Sequence, residues 1–269
     1  MLLTVEHVTR YTYSNPVRGV VQSHRLAPSV FDGQRVVHWD VSVTGGLKGG
    51  SFRDGAGDLL QAWTVHGPVS EIVVEVRGVV ETTDLSGCLR GHKEKTSPLC
   101  YLQTTLSTGA DVALTALADV AGASEGSLDA VHRLASAISD AIAYVPGSTT
   151  AATTAAEAMA QGQGVCQDHA HALIAAARHS DIPARYVSGY LHSTQDGAVH
   201  EAAHAWAELW VPDIGWIGFD AANRCCPDER YIRLGSGLDA QDAAPIRGTA
   251  RGQGEESLDV SLAIIQSEQ

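Results

Sequence analysis

Over the first third of the chain, apolar and polar residues alternate with the period of two that a pleated strand imposes. Tyr11 to Tyr13 lead into an expected turn at Ser14, Asn15 and Pro16. Val17 to Leu26 runs on to Pro28, and Val36 to Val43 ends before Gly45 and Gly46. Leu59 to Val65 and Ile72 to Val80 continue the alternation, and no long helical period interrupts it, so this part predicts a small β-sandwich or barrel. Further on the period changes. Asp111 to Val120 is alanine-rich and predicts a short helix. From Ser127, the apolar residues Leu128, Val131, Leu134, Ile138, Ile142 and Val145 mark one face of a longer helix, stopped by Pro146 and Gly147. Thr154 and Glu157 have the spacing of a capping box and predict another short helix. Beyond Gly164, the spacing of Ala170, Leu173, Ile174 and Ala177 predicts an amphipathic helix to about His179. Alternation returns at His204 to Val211, with His204, Trp206, Glu208 and Trp210 on one face. A second short strand, Gly215 to Asp220, follows a turn at Pro212 to Gly215. Residues 224–257, rich in Gly, Asp, Arg and Ala, read as an extended loop. The alternation of Leu258, Val260, Leu262 and Ile264 then predicts a last strand that rejoins a sheet.

Two domains are expected: a β-rich one over residues 1–110, and an α+β one over residues 111–269 that includes the loop and the final strand. With 44% hydrophobic and 18% charged residues, the chain has the composition of a folded globular protein. A formal charge of -13 argues against a duplex nucleic-acid binder, which needs a basic surface. No stretch approaches the roughly 18 apolar residues of a membrane span, and the N-terminus lacks the pattern of a secretory signal, so a cytoplasmic location is expected. Five cysteines without regular spacing do not form a disulfide framework. Cys225 and Cys226 read as a pair of thiols in a loop.

The chemistry gathers around Cys166. Gly162, Gln163, Gly164 and Val165 deliver it to the first turn of the predicted helix, where unpaired N–H groups and the helix dipole favour an anion. A lone cysteine is more often a buried apolar side chain. Cys166 differs in having a candidate base, His204, and a candidate orienting carboxylate, Asp220, on two neighbouring predicted strands. Gln163, Gln167 and the backbone N–H of Cys166 are candidate oxyanion donors. Trp206 is a candidate cleft wall, or a core residue. His169 is read as a surface histidine, with the active-site mouth as the alternative. Asp168 reads as a first-turn acid. Zinc held by Cys166 with two of His169, His171, His200 and His204 is a competing use of the same residues, although their spacing is poor for one ion.

Three segments resemble the transglutaminase-like superfamily of papain-type thiol enzymes, in its bacterial branch: Gly164 to Asp168, His204 to Trp206, and Gly218 to Asp220. Ile182 to Tyr190 resembles the strand that follows the family's cysteine helix. The Tyr11 to Tyr13 and Leu26 to Pro28 pieces resemble the accompanying N-terminal region. One departure is visible: the family often has proline after the aspartate, where this chain has Ala221, Ala222 and Asn223. The resemblance implies an α+β papain-like domain with the cysteine helix against an antiparallel sheet. It also implies a triad of Cys166 as nucleophile, His204 as base and acid, and Asp220 as orienting group. The expected activity is acyl transfer through a thioester on a peptide or protein substrate, as a peptidase or amidase, with no cofactor. The alternatives are crosslinking to an amine acceptor, or a non-catalytic scaffold that holds a peptide in the same cleft.

Overall fold

A computed structural model describes residues 1–192 and 203–266. Its N-terminal part is built on two long strands, β1 (Leu2–His24) and β4 (Leu59–Thr82), paired antiparallel for most of their length. The residues expected to turn the chain do not do so. Near Ser14, Asn15 and Pro16 the ladder shifts register between Thr12 and Val17 and again before Gly19, and Val17 pairs with Val69, next to Pro68. Proline has no N–H to offer a ladder, and here two nearly opposed prolines produce a local bulge and not the end of either strand. β2 (Gln34–Val43) pairs with the second half of β4 and β3 (Gly46–Arg53) with the first. Both halves of β1 gain a partner from the far end of the chain, β12 (Glu256–Gln266) on the first and β11 (Ile246–Ala250) on the second. The expected β-rich region is thus one six-stranded sheet, completed by two strands from the far end of the chain. Leu3, Val5 and Val80 from one half share a core with Val20, Trp63 and Val65 from the other.

The second sheet contains β7 (Ala184–Leu191), β8 (His204–Val211), β9 (Gly215–Phe219) and β10 (Tyr231–Gly237), antiparallel in the order β10-β7-β8-β9. Strands β10 and β11 occupy the stretch read from composition as an extended loop. Its Gly and Arg content hid a strand because these residues do packing work here. Gly235 sits where a Cβ would strike the Arg25 side chain, and Arg233 is buried in ion pairs. The helices are α1 (Val112–Val120), α2 (Leu128–Ala141), α3 (Ala155–Gln161) and α4 (Cys166–His179). Asp111, Ser127 and Thr154 cap the first three by accepting first-turn N–H groups. The short parallel partners β5 (Ala143–Tyr144) and β6 (Gln163–Gly164) flank α3, one before it and one after. Helix α4 lies on β7 and β8 with α1, α2 and α3 around it, and every residue from Asp168 to Arg178 is buried. The helix that the periodicity predicts as amphipathic is buried on its polar side as well, where backbone groups of other segments meet Arg178 and His171.

Both faces of the second sheet are covered. Ala184, Tyr186, Ala205, Ala207 and Leu209 face the helices, while Tyr190, Ile232 and Leu234 enter the core of the N-terminal sheet. Charges reinforce that second contact. Arg185, with a fully buried side chain, donates to Glu208 at 2.6 Å and to Glu94 at 2.5 Å. Arg233 donates to Glu208 at 2.8 Å and to Asp58 at 3.0 Å. No helix among the described residues is long and apolar enough to cross a membrane.

Two outcomes follow from this packing. A fragment starting near Gly126 would strand Arg185 and Arg233 without Glu94 and Asp58, and leave β11 and β12 without β1. It should be insoluble or lack cooperative unfolding, as judged by circular dichroism and a denaturant melt. The second outcome concerns pH. Burial lowers His7, His24 and His171 from 6.5 to about 4, so they stay neutral in the fold while the unfolded chain takes up protons. Their contribution is present above pH 6.5 and is lost as pH falls towards 4, so the melting temperature should drop across that window. His7→Gln should flatten the drop.

Candidate active site

Each element preceding Cys166 has a local cause. Helix α3 ends on Gly162, whose φ of 66° is the left-handed conformation that glycine adopts without a Cβ penalty. At Gly164 a Cβ would come within 2.7 Å of the Asp168 Cβ, so only glycine lets the chain pass this close to the helix it is about to enter. The N-cap residue Val165 has no side-chain acceptor. Its own N–H is instead held by Asp168 Oδ2 at 2.8 Å, and Thr149 donates to the same oxygen at 2.5 Å. Cys166 is then the first residue of α4 and is half-buried. At the first position of a helix the positive end of the dipole favours an anion.

His204 is the first residue of β8, and Asp220 follows directly on β9. The two strands are antiparallel neighbours, which brings His204 Nε2 to 2.6 Å from Asp220 Oδ2, with both side chains buried. The Cys166 thiol hydrogen-bonds to the His204 ring. With Nε2 given to Asp220, Nδ1 is the nitrogen left to face the sulfur. Burial opposes a charge on His204, but the Asp220 carboxylate, its hydrogen bond and the thiol outweigh burial and raise the imidazole to about 10. Burial likewise opposes the charge on Asp220. The His204 charge and hydrogen bonds from His204, Asn223 and Tyr231 hold its carboxyl below the usual range. The structure thus brings the side chains of Cys166, His204 and Asp220 together, in the order in which the sequence reading expected them.

The other candidates scatter. Gln163 is exposed on β6. Gln167 is half-buried and donates to Ala151 O at 3.3 Å. His169 is neither on the surface nor at the mouth. It is 2% exposed, with Nδ1 2.9 Å from Val165 O and Nε2 2.9 Å from Ile142 O, so it ties the C-terminal end of α2 to the start of α4. His171 faces the other way, accepting the Ala240 N–H at 3.1 Å. His200 lies outside the described residues. Trp206 is buried behind His204, stacked on its ring at 6.4 Å and edge-on to Tyr231 at 5.5 Å. Gly189 and Gly218 leave the room for it.

Three residues at the site escaped the sequence reading. Asn223 donates its side-chain amide to Asp220 Oδ2 at 2.7 Å and its backbone N–H to Oδ1 at 3.1 Å. It closes the turn for which the family often uses proline; an Asp followed three residues later by Asn was the available signal. Tyr231 O–H donates to Asp220 Oδ2 at 2.8 Å, but it sits in the stretch read as loop and had no signal. Tyr144, half-exposed on β5, lies close enough to Cys166 and Asp220 for their charges to add to its desolvation in raising its phenol.

Comparison with known proteins agrees with this architecture. Residues 115–221 match the transglutaminase-like superfamily, and residues 3–81 match the bacterial transglutaminase-like N-terminal region. An uncharacterized protein of Mycobacterium leprae is 30% identical over 97% of this chain and 98% of its own length. A protein-glutamine gamma-glutamyltransferase of Pseudomonas aeruginosa is 35% identical over 28% of this chain, which is 12% of that protein. A solved structure from Cytophaga hutchinsonii, provisionally assigned as a cysteine protease, shares the fold with a TM-score of 0.68 and 21% identity, covering 100% of this chain and 93% of that one. With both parts matched and one relative aligned from end to end, the chain belongs to the transglutaminase-like superfamily and carries the bacterial N-terminal region that accompanies it.

Proposed function

We propose that this protein is a cysteine-dependent acyl-transfer enzyme that acts on peptide or carboxamide bonds of a peptide or protein substrate. The observation that carries the reading is the hydrogen-bonded series from Cys166 through His204 to Asp220, buried at its Asp220 end and half-open at the sulfur. With its imidazole raised to about 10, His204 already holds the thiol proton at neutral pH, and the thiolate attacks the carbonyl carbon. The tetrahedral oxyanion is met by the backbone N–H of Cys166 at the start of α4. Collapse breaks the C–N bond, the nitrogen leaves with the proton returned by His204, and a thioester remains. Water, deprotonated by His204, attacks the thioester to release the acid and restore the thiol. Hydrolysis makes the protein a peptidase or amidase.

A second reading has its own support in the similarity to the Pseudomonas aeruginosa gamma-glutamyltransferase over the 82 aligned residues. In it an amine takes the place of water and the product is a new amide. Mass spectrometry after incubation with glutamine-containing peptides, with and without a lysine-like amine, separates cleavage, deamidation and amine incorporation. A peptide bound but chemically unchanged would replace both readings with a scaffold.

Iodoacetamide near pH 6 should alkylate Cys166 ahead of Cys88, Cys225 and Cys226. Burial raises the Cys225 thiol, and burial with the neighbouring thiols pushes Cys226 up to about 11. Equal labelling of all of them in the folded protein would remove Cys166 as nucleophile. Cys166→Ala should abolish turnover and keep the fold.

The division of labour is open to a double-mutant cycle. His204→Ala should cost roughly 100-fold to 10,000-fold, since it removes both base and acid. Asp220→Asn should cost less, and the double variant should be little worse than His204→Ala alone, because the members act as a unit. Losses that multiply would take Asp220 out of the triad.

A further inference from the structure

We propose that Tyr231 is a positioning residue of the triad, through which the seating of the N-terminal region is carried to Asp220. The proposal rests on the reading of Cys166, His204 and Asp220 given above and adds a member that neither the family match nor the sequence reading supplied.

The geometry is unusually full for one carboxylate oxygen. Asp220 Oδ2 accepts from His204 Nε2 at 2.6 Å, from Asn223 Nδ2 at 2.7 Å and from Tyr231 O–H at 2.8 Å. A phenol has one proton to give. Since it goes to Asp220, the Cys225 sulfur 3.2 Å from the same hydroxyl can serve only as an S–H donor to it, and the direction of the chain is set from Cys225 towards the triad. Asn223 belongs to the turn that immediately follows Asp220 and moves with it. Tyr231 does not. It begins β10, and the next two residues of that strand enter the other half of the molecule: Ile232 in the apolar core of the N-terminal sheet, and Arg233 on Asp58 and Ser29. Asp220 itself lies just past the end of β9, and its backbone pairs with Cys225 of the same turn, so that pairing ties it only to residues that move with it. Tyr231 is thus the tie between the catalytic carboxylate and a strand clamped from both sides.

The groups that face Asp220 are His204 from β8, Tyr231 from β10, Asn223 and Cys225 from the turn, and Tyr144 from β5. Of these, Tyr231 can be altered without changing charge or turn geometry. In Tyr231→Phe the carboxylate loses a donor that favours its charged form, so the Asp220 titration, followed by carboxyl carbon NMR on the full chain, should rise by about one pH unit. The rate of Cys166 alkylation by iodoacetamide should fall about tenfold at neutral pH, as His204 loses its fixed partner. Tyr190→Phe serves as the comparison, because it removes a buried phenol that bonds His7 at 2.8 Å, away from the triad, and it should leave both readouts at wild-type values. Replacement of Tyr231 by 3-fluorotyrosine, a stronger donor of nearly the same size, should move the Asp220 titration down and serves if the phenylalanine variant does not fold. An Asp220 titration that stays at its wild-type value in the variants at position 231 would overturn the proposal and leave the triad standing. Loss of preferential Cys166 labelling in the wild type would instead count against the triad, whatever the carboxyl titration showed.

Discussion

Two guanidiniums and three carboxylates, largely withdrawn from water, hold the two sheets against each other. Arg185 and Arg233 share Glu208, while Glu94 and Asp58 reach them from the N-terminal side of the chain. Desolvating such groups is costly, and the cost is offset only when every charge is partnered and the remaining lone pairs are filled. Here Trp216 donates to Glu94, and Ser29 and Ser236 bond to Asp58 or its guanidinium partner. The Arg185 guanidinium also lies 4.0 Å over the Trp216 ring. Removing either guanidinium would leave buried carboxylates uncompensated, a loss of about 3 to 5 kcal/mol in comparable cases. That constraint makes the N-terminal region part of the same folding unit as the helical half.

The candidate site inherits its order from this frame. Its three principal residues come from the start of a helix and from the adjoining ends of two strands, places where side chains are presented by backbone that is already fixed. Helix α4 has little freedom to shift: alanines bring it close to the sheet, and Arg178 near its end is bonded to the carbonyls of Tyr101, Ala184 and Leu238. At the other end, Asp168 and His169 tie its first turn to Val165 and to the C-terminal end of α2. A sulfur held this way needs no large rearrangement to meet its imidazole, which favours catalysis by pre-organisation.

The two-sided burial of the second sheet also accounts for the role that the polar alternation of β8 acquires. A strand with His204, Trp206 and Glu208 on one face would ordinarily turn that face to water. Here the first of them meets Asp220 in the candidate site, the second backs the imidazole and the third becomes the hub of the ion pairs. The same alternation therefore serves the site and the joint between the two halves.

Short-range pattern and local chemistry were enough to place the capped helices at Ser127 and Thr154, the strands at His204 and Gly215, and the cysteine at a helix start after Gly162 and Gly164. Each of these depends on residues within a few positions of one another. The tertiary structure decided what distant partners decide. Ser14 to Pro16 read as a turn, yet β1 continues past its proline because β4 supports it across the ladder. Residues 231–237 read as loop because glycine and arginine are poor strand formers on their own. They form β10 because β7 pairs with them and Asp58, some 175 positions earlier, neutralises Arg233. Tyr231 shows the same limit at the site itself: a phenol in a polar stretch carries no sign of its use until a strand pairing sets it against Asp220, since hydrogen-bond geometry belongs to the packed chain and not to the order of its residues.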